Sequence, residues 1–254
     1  MPHRIAVPLP DDLEPDFDNG FFDSAAFARE ALATPQSLAR VFDHTLLKPD
    51  ASRTQVETLC RETAEHGFAC AMINPVWAAT AVSCLSGTGI PVGVVIGFPL
   101  GASLASTLRQ EAHAITRLGV RELDMVLSIG QVKSGDYHAA ERSIRAAAEV
   151  AHHNGAILKV ILETCLLTVE EKLRASEIAI HAGADFLKTS TGFSTAGATV
   201  SDVALLRGVA GSRCGVKASG GIRSLADVRN LLEAGANRIG ASASVSILQE
   251  LLAQ

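Results

Sequence analysis

The sequence predicts an α/β protein whose eight parallel strands close into a (β/α)8 TIM barrel, preceded by an extra N-terminal helix. The chain has 254 residues, of which 48% are hydrophobic and 19% are charged, which is enough to bury one large core. From Val41 onward, apolar runs typical of strands alternate eight times with segments typical of amphipathic helices. An open doubly wound sheet would usually carry G-x-G-x-x-G after a strand, and this fingerprint is absent.

The predicted strands are short apolar runs, each followed by a helical segment. They lie at residues 41–47, 68–73, 92–97, 122–127, 157–163, 185–189, 215–218 and 238–240. The helical segments are residues 52–66, 76–84, 103–118, 137–154, 169–182, 200–209, 225–234 and 244–253. Several of them end at a glycine, the residue that most often terminates a helix.

The chain before the barrel is expected to form an N-terminal extension, residues 1–40, with one helix packed on the barrel domain, residues 41–254. Residues 1–15 are rich in proline and aspartate, and residues 19–33 carry aromatic and aliphatic side chains at helical spacing before Pro35. The alternative use of this helix is an oligomer contact. We expect a homo-oligomer, with a dimer favoured over other states.

Composition narrows the function classes. The net charge of −5 and the absence of a basic run give no support for nucleic-acid or membrane binding. The N-terminus lacks the uninterrupted apolar segment of a signal peptide, and prolines break the longest apolar run, residues 90–104. Five cysteines form no C-x-x-C pair and the eight histidines are scattered. We therefore expect a cytoplasmic protein with a small-molecule substrate, no metal and no cofactor.

Five charged residues are predicted to point into the barrel near the C-terminal ends of their strands, where such barrels carry their chemistry. They are Asp43, Asp124, Lys159, Lys188 and Lys217. A single inward lysine can be structural, with its stem packed and its head at the strand end. Three lysines beside two aspartates leave an excess of positive charge, which together with burial lowers the pKa of a lysine. A free amine is a nucleophile toward carbonyl carbons, so the cluster predicts Schiff-base chemistry.

Three loops rich in glycine and hydroxyl groups follow the last three strands, at residues 189–192, 219–221 and 240–242. Each alone is consistent with a tight barrel turn. Together they occupy the corner where barrels often bind phosphate through backbone N–H groups. A phosphorylated aldehyde or ketone is the expected substrate.

Seven segments, in order and spacing, closely resemble the deoxyribose-phosphate aldolases. They are DHTLLKPD (43–50), VIGFPLG (95–101), ELDMVLSIG (122–130), LKVILET (158–164), DFLKTSTGF (185–193), GVKASGGIR (215–223) and RIGASAS (238–244). The resemblance implies a metal-independent class I aldolase that reversibly cleaves 2-deoxy-D-ribose 5-phosphate to D-glyceraldehyde 3-phosphate and acetaldehyde.

The same resemblance implies a role for each matched residue. Lys188 is the Schiff-base lysine, Lys217 lowers its pKa and aids proton transfer, and Asp124 relays protons through a water molecule. Asp43 and Lys159 support them by charge and hydrogen bonding. The substrate is further bound by Thr191, Gly192, Gly220, Gly221 and Ser242.

Three positions depart from the family pattern. Met72 stands where cysteine is frequent, Ser128 where asparagine is common, and Ala243 where a second phosphate-loop serine is often found. Two alternatives stay open from the sequence. One is another lysine-dependent aldolase acting on a different sugar phosphate or a keto acid, and the other is a non-catalytic barrel that binds sugar phosphates.

Overall fold

Eight parallel strands close into a barrel in sequence order, as the sequence predicts. The structure is a computed structural model and describes residues 22–253. The strands are β1 (Phe42–Leu46), β2 (Cys70–Ile73), β3 (Val92–Ile96), β4 (Glu122–Val126), β5 (Ile157–Ile161), β6 (Phe186–Lys188), β7 (Gly215–Ser219) and β8 (Arg238–Ala241). The barrel closes because β8 pairs with β1, with Asp43 beside Gly240.

Helices surround this barrel and connect its strands. They are α1 (Ser24–Ala31), α2 (Pro35–Ala39), α3 (Arg53–His66), α4 (Ala78–Cys84), α5 (Ala105–Thr116), α6 (Ile129–Lys133), α7 (Tyr137–His153), α8 (Val169–His181), α9 (Val200–Ala210), α10 (Leu225–Glu233) and α11 (Ser244–Leu252). Within residues 22–253, no helix combines the length and the apolar character that a bilayer crossing requires.

Three connections differ from the sequence prediction, among them the one after β5, which forms a 3-10 turn, Thr164–Leu166. The segment predicted as one helix at residues 76–84 begins with a separate 3-10 turn, Pro75–Trp77, before α4. The short helix α6, between β4 and α7, is absent from the predicted elements. Five residues present too little periodic pattern to be recognised as a helix.

The expectation of one helix in the N-terminal extension is wrong, since its described part holds two. The first spans Ser24–Ala31, shorter than the predicted residues 19–33, of which 19–21 lie outside the described residues, as do residues 1–15. Pro35, expected only to stop a helix, occupies the first turn of α2, where a missing N–H costs nothing. Thr34 caps this helix by accepting a hydrogen bond from the Ser37 N–H at 3.0 Å. The division at residue 40 stays a prediction.

Both helices of the extension pack on the last helices of the barrel, α1 on α10 and α2 on α11. A further contact joins the start of the described chain to α9, because the guanidinium of Arg207 lies 4.0 Å from the centre of the Phe22 ring. The extension therefore covers the side of the barrel where its first strand, β1, pairs with its last strand, β8.

Strand alternation divides the core into two layers. On β4, Leu123 and Met125 face outward and join the large apolar core between barrel and helices. The inner face of the first three strands contributes a smaller apolar group, Leu47, Cys70, Met72 and Val95, against which Phe98 packs. The barrel interior is thus apolar on one side and carries charged residues on the other.

At Gly101 the loop after β3 packs closely against the residue that follows β4. Its backbone has a φ of +64°, and a Cβ placed on it would lie 1.9 Å from the carbonyl oxygen of Leu127. A side chain there would be strained by its own backbone and would displace the neighbouring chain.

We expect Gly101→Ala to lower the free energy of unfolding by roughly 2–5 kcal/mol, through left-handed strain and overpacking. Gly208→Ala is the matched control, because Gly208 lies in α9 and a Cβ added to it would have no heavy atom within 4 Å. Alanine favours a helix, so this variant should be neutral or up to about 1 kcal/mol more stable. Chemical denaturation measures both, and equal stabilities for the two variants would contradict the assignment.

Candidate active site

Asp124 lies at the centre of a buried ionic network inside the barrel. Its Oδ2 accepts hydrogen bonds from Lys188 Nζ at 2.8 Å and from Lys217 Nζ at 2.7 Å. Its Oδ1 accepts one from Lys159 Nζ at 2.9 Å. Lys217 also donates to Asp43. The structure therefore brings together all five charged residues that the sequence places in the interior.

The strand register produces this arrangement. Asp124 on β4 pairs with Lys159 on β5, and Lys188 on β6 pairs with Lys217 on β7. Residues paired across neighbouring parallel strands lie at the same height and point the same way. The three lysines therefore converge on one carboxylate.

Two further charged residues belong to this network and are missing from the sequence prediction. Glu122 Oε2 lies 2.5 Å from Lys159 Nζ, and Arg238 Nη1 lies 2.6 Å from Asp43 Oδ1. The prediction considered only residues expected near the C-terminal ends of the strands. In the structure only Lys188 ends its strand, the other four lie in the middle or first half of theirs, and Glu122 and Arg238 are the first residues of β4 and β8. A signal exists in the sequence, because Glu122 precedes Asp124 by two residues and therefore faces the same side.

The network carries more basic groups than carboxylates. Its basic members are Lys159, Lys188, Lys217 and Arg238, and its acidic members are Asp43, Glu122 and Asp124. The excess of one positive charge predicted from the sequence persists with these additional members. Loss of one proton from a lysine would make the network neutral.

Lys188 is suited to lose this proton, because its pKa is lowered. Burial lowers the pKa of Lys188 to about 8, with help from the charges of Lys217 and Lys159 and against the attraction of Asp124. Lys159 is equally buried, and burial alone would lower its pKa too. Three carboxylates, Asp124, Glu122 and Asp43, outweigh that effect and raise the pKa of Lys159 well above its usual value. The difference arises because Asp124 is the one acidic group paired with Lys188 among residues 22–253.

Both aspartates stay ionised. Burial would raise the pKa of Asp124, but Lys159, Lys188 and Lys217 outweigh it and hold the pKa well below its usual range. The pKa of Asp43 is lowered in the same way. Asp124 is therefore an ionised hydrogen-bond acceptor in direct contact with the amine of Lys188.

A possible metal-ligand group in the described residues coincides with this network. Ligand atoms of Asp43, Cys70 and Glu122 lie within 4.8 Å of one another. The cations beside them are the side chains of Lys159 and Arg238, which pair with both carboxylates. Burial raises the pKa of the Cys70 thiol well above its usual value, which disfavours the thiolate that a metal needs.

The loops after β6 and β7 touch through glycines at the mouth of the barrel. The Ala198 N–H donates to the Gly220 carbonyl at 3.0 Å, and a Cβ on Gly220 would lie 3.6 Å from the Gly192 Cα. A Cβ added to Gly221 or to Gly192 would have no heavy atom within 4 Å. These two glycines leave backbone accessible from the mouth.

The sequence also matches a known protein family. Residues 38–250 match the model of the DeoC/LacD family aldolases. The chain belongs to this aldolase family. A deoxyribose-phosphate aldolase from Geobacillus sp. (strain WCH70) is 49% identical over 213 residues, covering 84% of this chain and 95% of the relative. One from Thermoanaerobacter sp. (strain X514) is 50% identical over 215 residues, covering 84% and 96%.

A solved structure of the aldolase family has the same fold. The tetrameric deoxyribose phosphate aldolase from Aeropyrum pernix superposes with a TM-score of 0.84 at 35% identity, covering 91% of this chain and 97% of that one. The barrel and its aldolase chemistry are therefore common to this chain and its relatives.

The loop residues expected to hold substrate in this aldolase take different positions. Gly192 and Gly220 lie side by side, whereas the Thr191 hydroxyl is buried and donates to Glu163. Ser242 is exposed two residues before α11, whose first turn receives no side-chain cap. The Thr191 hydroxyl thus holds the loop through Glu163, and both Thr191 and Ser242 stay predicted substrate contacts.

We expect Lys217→Met to raise the pKa of Lys188 above about 8, because it removes a neighbouring positive charge from a buried site. Lys188 is a free amine only above its pKa, so the half-maximal rate of imine formation should move to higher pH. The rate is measured from about pH 6 to about pH 10 by trapping with acetaldehyde and borohydride, a range that brackets the free-amine transition. Lys133→Met is the control, since Lys133 pairs with Glu171 on the surface. An unchanged profile in Lys217→Met would contradict the role of this charge.

Proposed function

We propose that this protein is a class I aldolase that reversibly cleaves 2-deoxy-D-ribose 5-phosphate to D-glyceraldehyde 3-phosphate and acetaldehyde. The observation that carries the proposal is the amine of Lys188, buried beside Asp124 with its pKa lowered to about 8. The relatives that share about half of their residues with the chain are deoxyribose-phosphate aldolases.

The reaction begins with the free amine of Lys188 attacking C1 of the open-chain sugar. The carbinolamine loses water and becomes an iminium ion, which attracts electrons from the C2–C3 bond. A lysine with a pKa of about 8 is partly a free amine near neutral pH and forms this intermediate at a useful rate, whereas a lysine with an ordinary pKa is almost fully protonated.

Cleavage needs a base for the C3 hydroxyl proton. As that proton leaves, the C2–C3 bond breaks, glyceraldehyde 3-phosphate is released, and the electron pair moves to C2 to give an enamine on Lys188. Asp124 is the carboxylate in contact with this lysine, so we assign the proton transfers to it, directly or through one water molecule. The enamine is then protonated at C2, and hydrolysis of the imine releases acetaldehyde.

The other charged residues orient Lys188 and Asp124 and set the charge around them. Lys217 contacts the same oxygen of Asp124 as Lys188 does and adds positive charge beside the nucleophile. Lys159 holds the other oxygen, and Asp43 holds Lys217. We assign these residues to orientation and charge rather than to bond making.

The apolar inner face favours acetaldehyde as the donor. Leu47, Met72, Val95 and Phe98 form this face together with the protonated thiol of Cys70. It offers no strong hydrogen-bond partner for a hydroxyl or a carboxylate on the donor carbon, and burying such a group unpaired is unfavourable. This argues against a keto-acid donor, which is part of one alternative left open by the sequence.

Trapping experiments test the proposed nucleophile. Borohydride reduction with acetaldehyde should attach one ethyl group to the protein, and peptide mass spectrometry should locate it on Lys188. Lys188→Ala should lose the adduct and reduce turnover on the order of 10³-fold or more, because no other group replaces a covalent nucleophile. Full turnover without Lys188 would favour a non-catalytic sugar-phosphate barrel, and trapping only with a larger carbonyl donor would favour a different aldolase.

The phosphate site is proposed at Gly192, Gly220, Gly221 and Ser242, beside the uncapped start of α11. We expect Ser242→Ala to raise KM for 2-deoxyribose 5-phosphate about 5-fold, the equivalent of one lost hydrogen bond of about 1 kcal/mol. KM for unphosphorylated 2-deoxyribose should not change, because it has no phosphate to bind. Steady-state kinetics with both substrates decide the matter, and an equal effect on both would place the phosphate elsewhere.

Assembly and location belong to the same proposal. A dimer and a cytoplasmic location stay the expectations from the sequence, while the Aeropyrum pernix relative is a tetramer. Light scattering after gel filtration measures the assembly directly.

A further inference from the structure

Glu163 has an unusual backbone for a residue with a side chain. It follows β5 with φ of 55° and ψ of 62°, and it is the only non-glycine residue with positive φ within residues 22–253. This left-handed conformation is unfavourable for an L-residue other than glycine. Such strain persists when the surrounding structure requires the side chain in that place, and it is concentrated at functional sites.

The Glu163 carboxylate is buried and is held by the loop that follows Lys188. Both of its oxygens lie 3.3 Å from the Thr191 N–H, and the Thr191 hydroxyl donates to one of them. The Cys165 thiol lies 3.9 Å away. No lysine or arginine of the described part of the chain lies within ion-pair distance. A buried carboxylate without such a partner depends on these hydrogen bonds.

Thr191 transmits this contact to the rest of its loop. Its hydroxyl, while donating to Glu163, accepts a hydrogen bond from the Phe193 N–H at 3.0 Å. Next to Glu163, the Thr164 N–H donates to the Thr189 carbonyl at 2.9 Å. The end of β5 therefore holds the loop of residues 189–193 at both of its ends.

The loop is held from its other side by β7. The Ser219 hydroxyl donates to the Ser190 carbonyl at 2.9 Å, and the Thr189 hydroxyl lies 3.2 Å from both the carbonyl oxygen and the N–H of Ser219. Lys188 immediately precedes this loop, and Gly192 presents its backbone at the far end. The conformation of the loop thus sets the distance between the nucleophile and the backbone proposed to bind phosphate.

We infer that Glu163 is a positioning residue for the aldolase reaction. It fixes the loop of residues 189–193, so that a substrate whose phosphate is bound near Gly192 presents its carbonyl carbon to Lys188. The inference rests on the proposed function, and it assigns Glu163 a role that depends on the phosphate group. Its carboxylate does not touch the reacting atoms.

Glu163→Gly tests this role, because glycine accepts the left-handed backbone while removing the carboxylate. We expect kcat/KM for 2-deoxyribose 5-phosphate to fall about 100-fold, the size of effect that a misplacement of about 1 Å produces. Trapping of acetaldehyde on Lys188 and cleavage of unphosphorylated 2-deoxyribose should change less than about 3-fold, because neither uses the phosphate site. Glu163→Gln, which keeps the shape and one accepting oxygen, should lose about 10-fold.

A second variant separates positioning from a general loss of structure. Thr191→Val removes the hydroxyl that Glu163 holds, so Glu163→Gly should cause little further loss in that background, as expected for two residues that act through one contact. Independent, multiplicative losses would overturn the inference. So would equal losses with both sugars and in trapping, or a Glu163→Gly enzyme with unchanged preference for the phosphorylated sugar. A wild-type protein that neither traps acetaldehyde nor cleaves the sugar phosphate would instead refute the proposed function.

Discussion

The interior of this barrel depends on a single carboxylate that three lysines share. Asp124 lies within 2.9 Å of the ammonium groups of Lys159, Lys188 and Lys217, all of which are buried. Three like charges at this spacing repel one another strongly unless an anion lies between them. Asp124 therefore offsets the repulsion between the three lysines. Because it carries one negative charge, the cluster keeps a net positive charge, and one of its protons is easily lost.

Which lysine loses the proton is decided by the distribution of the carboxylates. Glu122 and Asp43 pair with Lys159 and with Arg238, and Asp43 also accepts a hydrogen bond from Lys217. Lys188, in contrast, contacts a single carboxylate oxygen, Asp124 Oδ2, which also accepts a hydrogen bond from Lys217. The asymmetry keeps Lys159 protonated and lowers the pKa of Lys188, although both lysines are buried. A symmetrical arrangement of the same residues would not distinguish them.

The strands position the charged residues, and the loops at the mouth of the barrel position the rest of the site. The strands fix the charged residues through their register, whereas the loop after Lys188 takes its course from hydrogen bonds to both neighbouring strand ends. Glu163 supplies the bond on the β5 side at the cost of an unfavourable backbone conformation. A reaction on a phosphorylated sugar requires that the phosphate and the carbonyl carbon are both held in the correct positions. The loops, rather than the strands, must provide this placement.

The sequence by itself determined the barrel and the five charged residues of its interior. Eight alternations of apolar strand and amphipathic helix leave few other folds, and a period of two puts Asp124, Lys188 and their partners inward because side chains alternate along a strand. Only the tertiary structure placed Glu122 and Arg238 in the network, showed which carboxylates raise the pKa of Lys159 while that of Lys188 is lowered, and showed that Thr191 is held by Glu163. These features depend on distances between side chains from strands far apart in the chain, and no local pattern records such distances. The second N-terminal helix was missed for a related reason, since Pro35 can end one helix or begin another and the cap formed by Thr34 and Ser37 selects the latter.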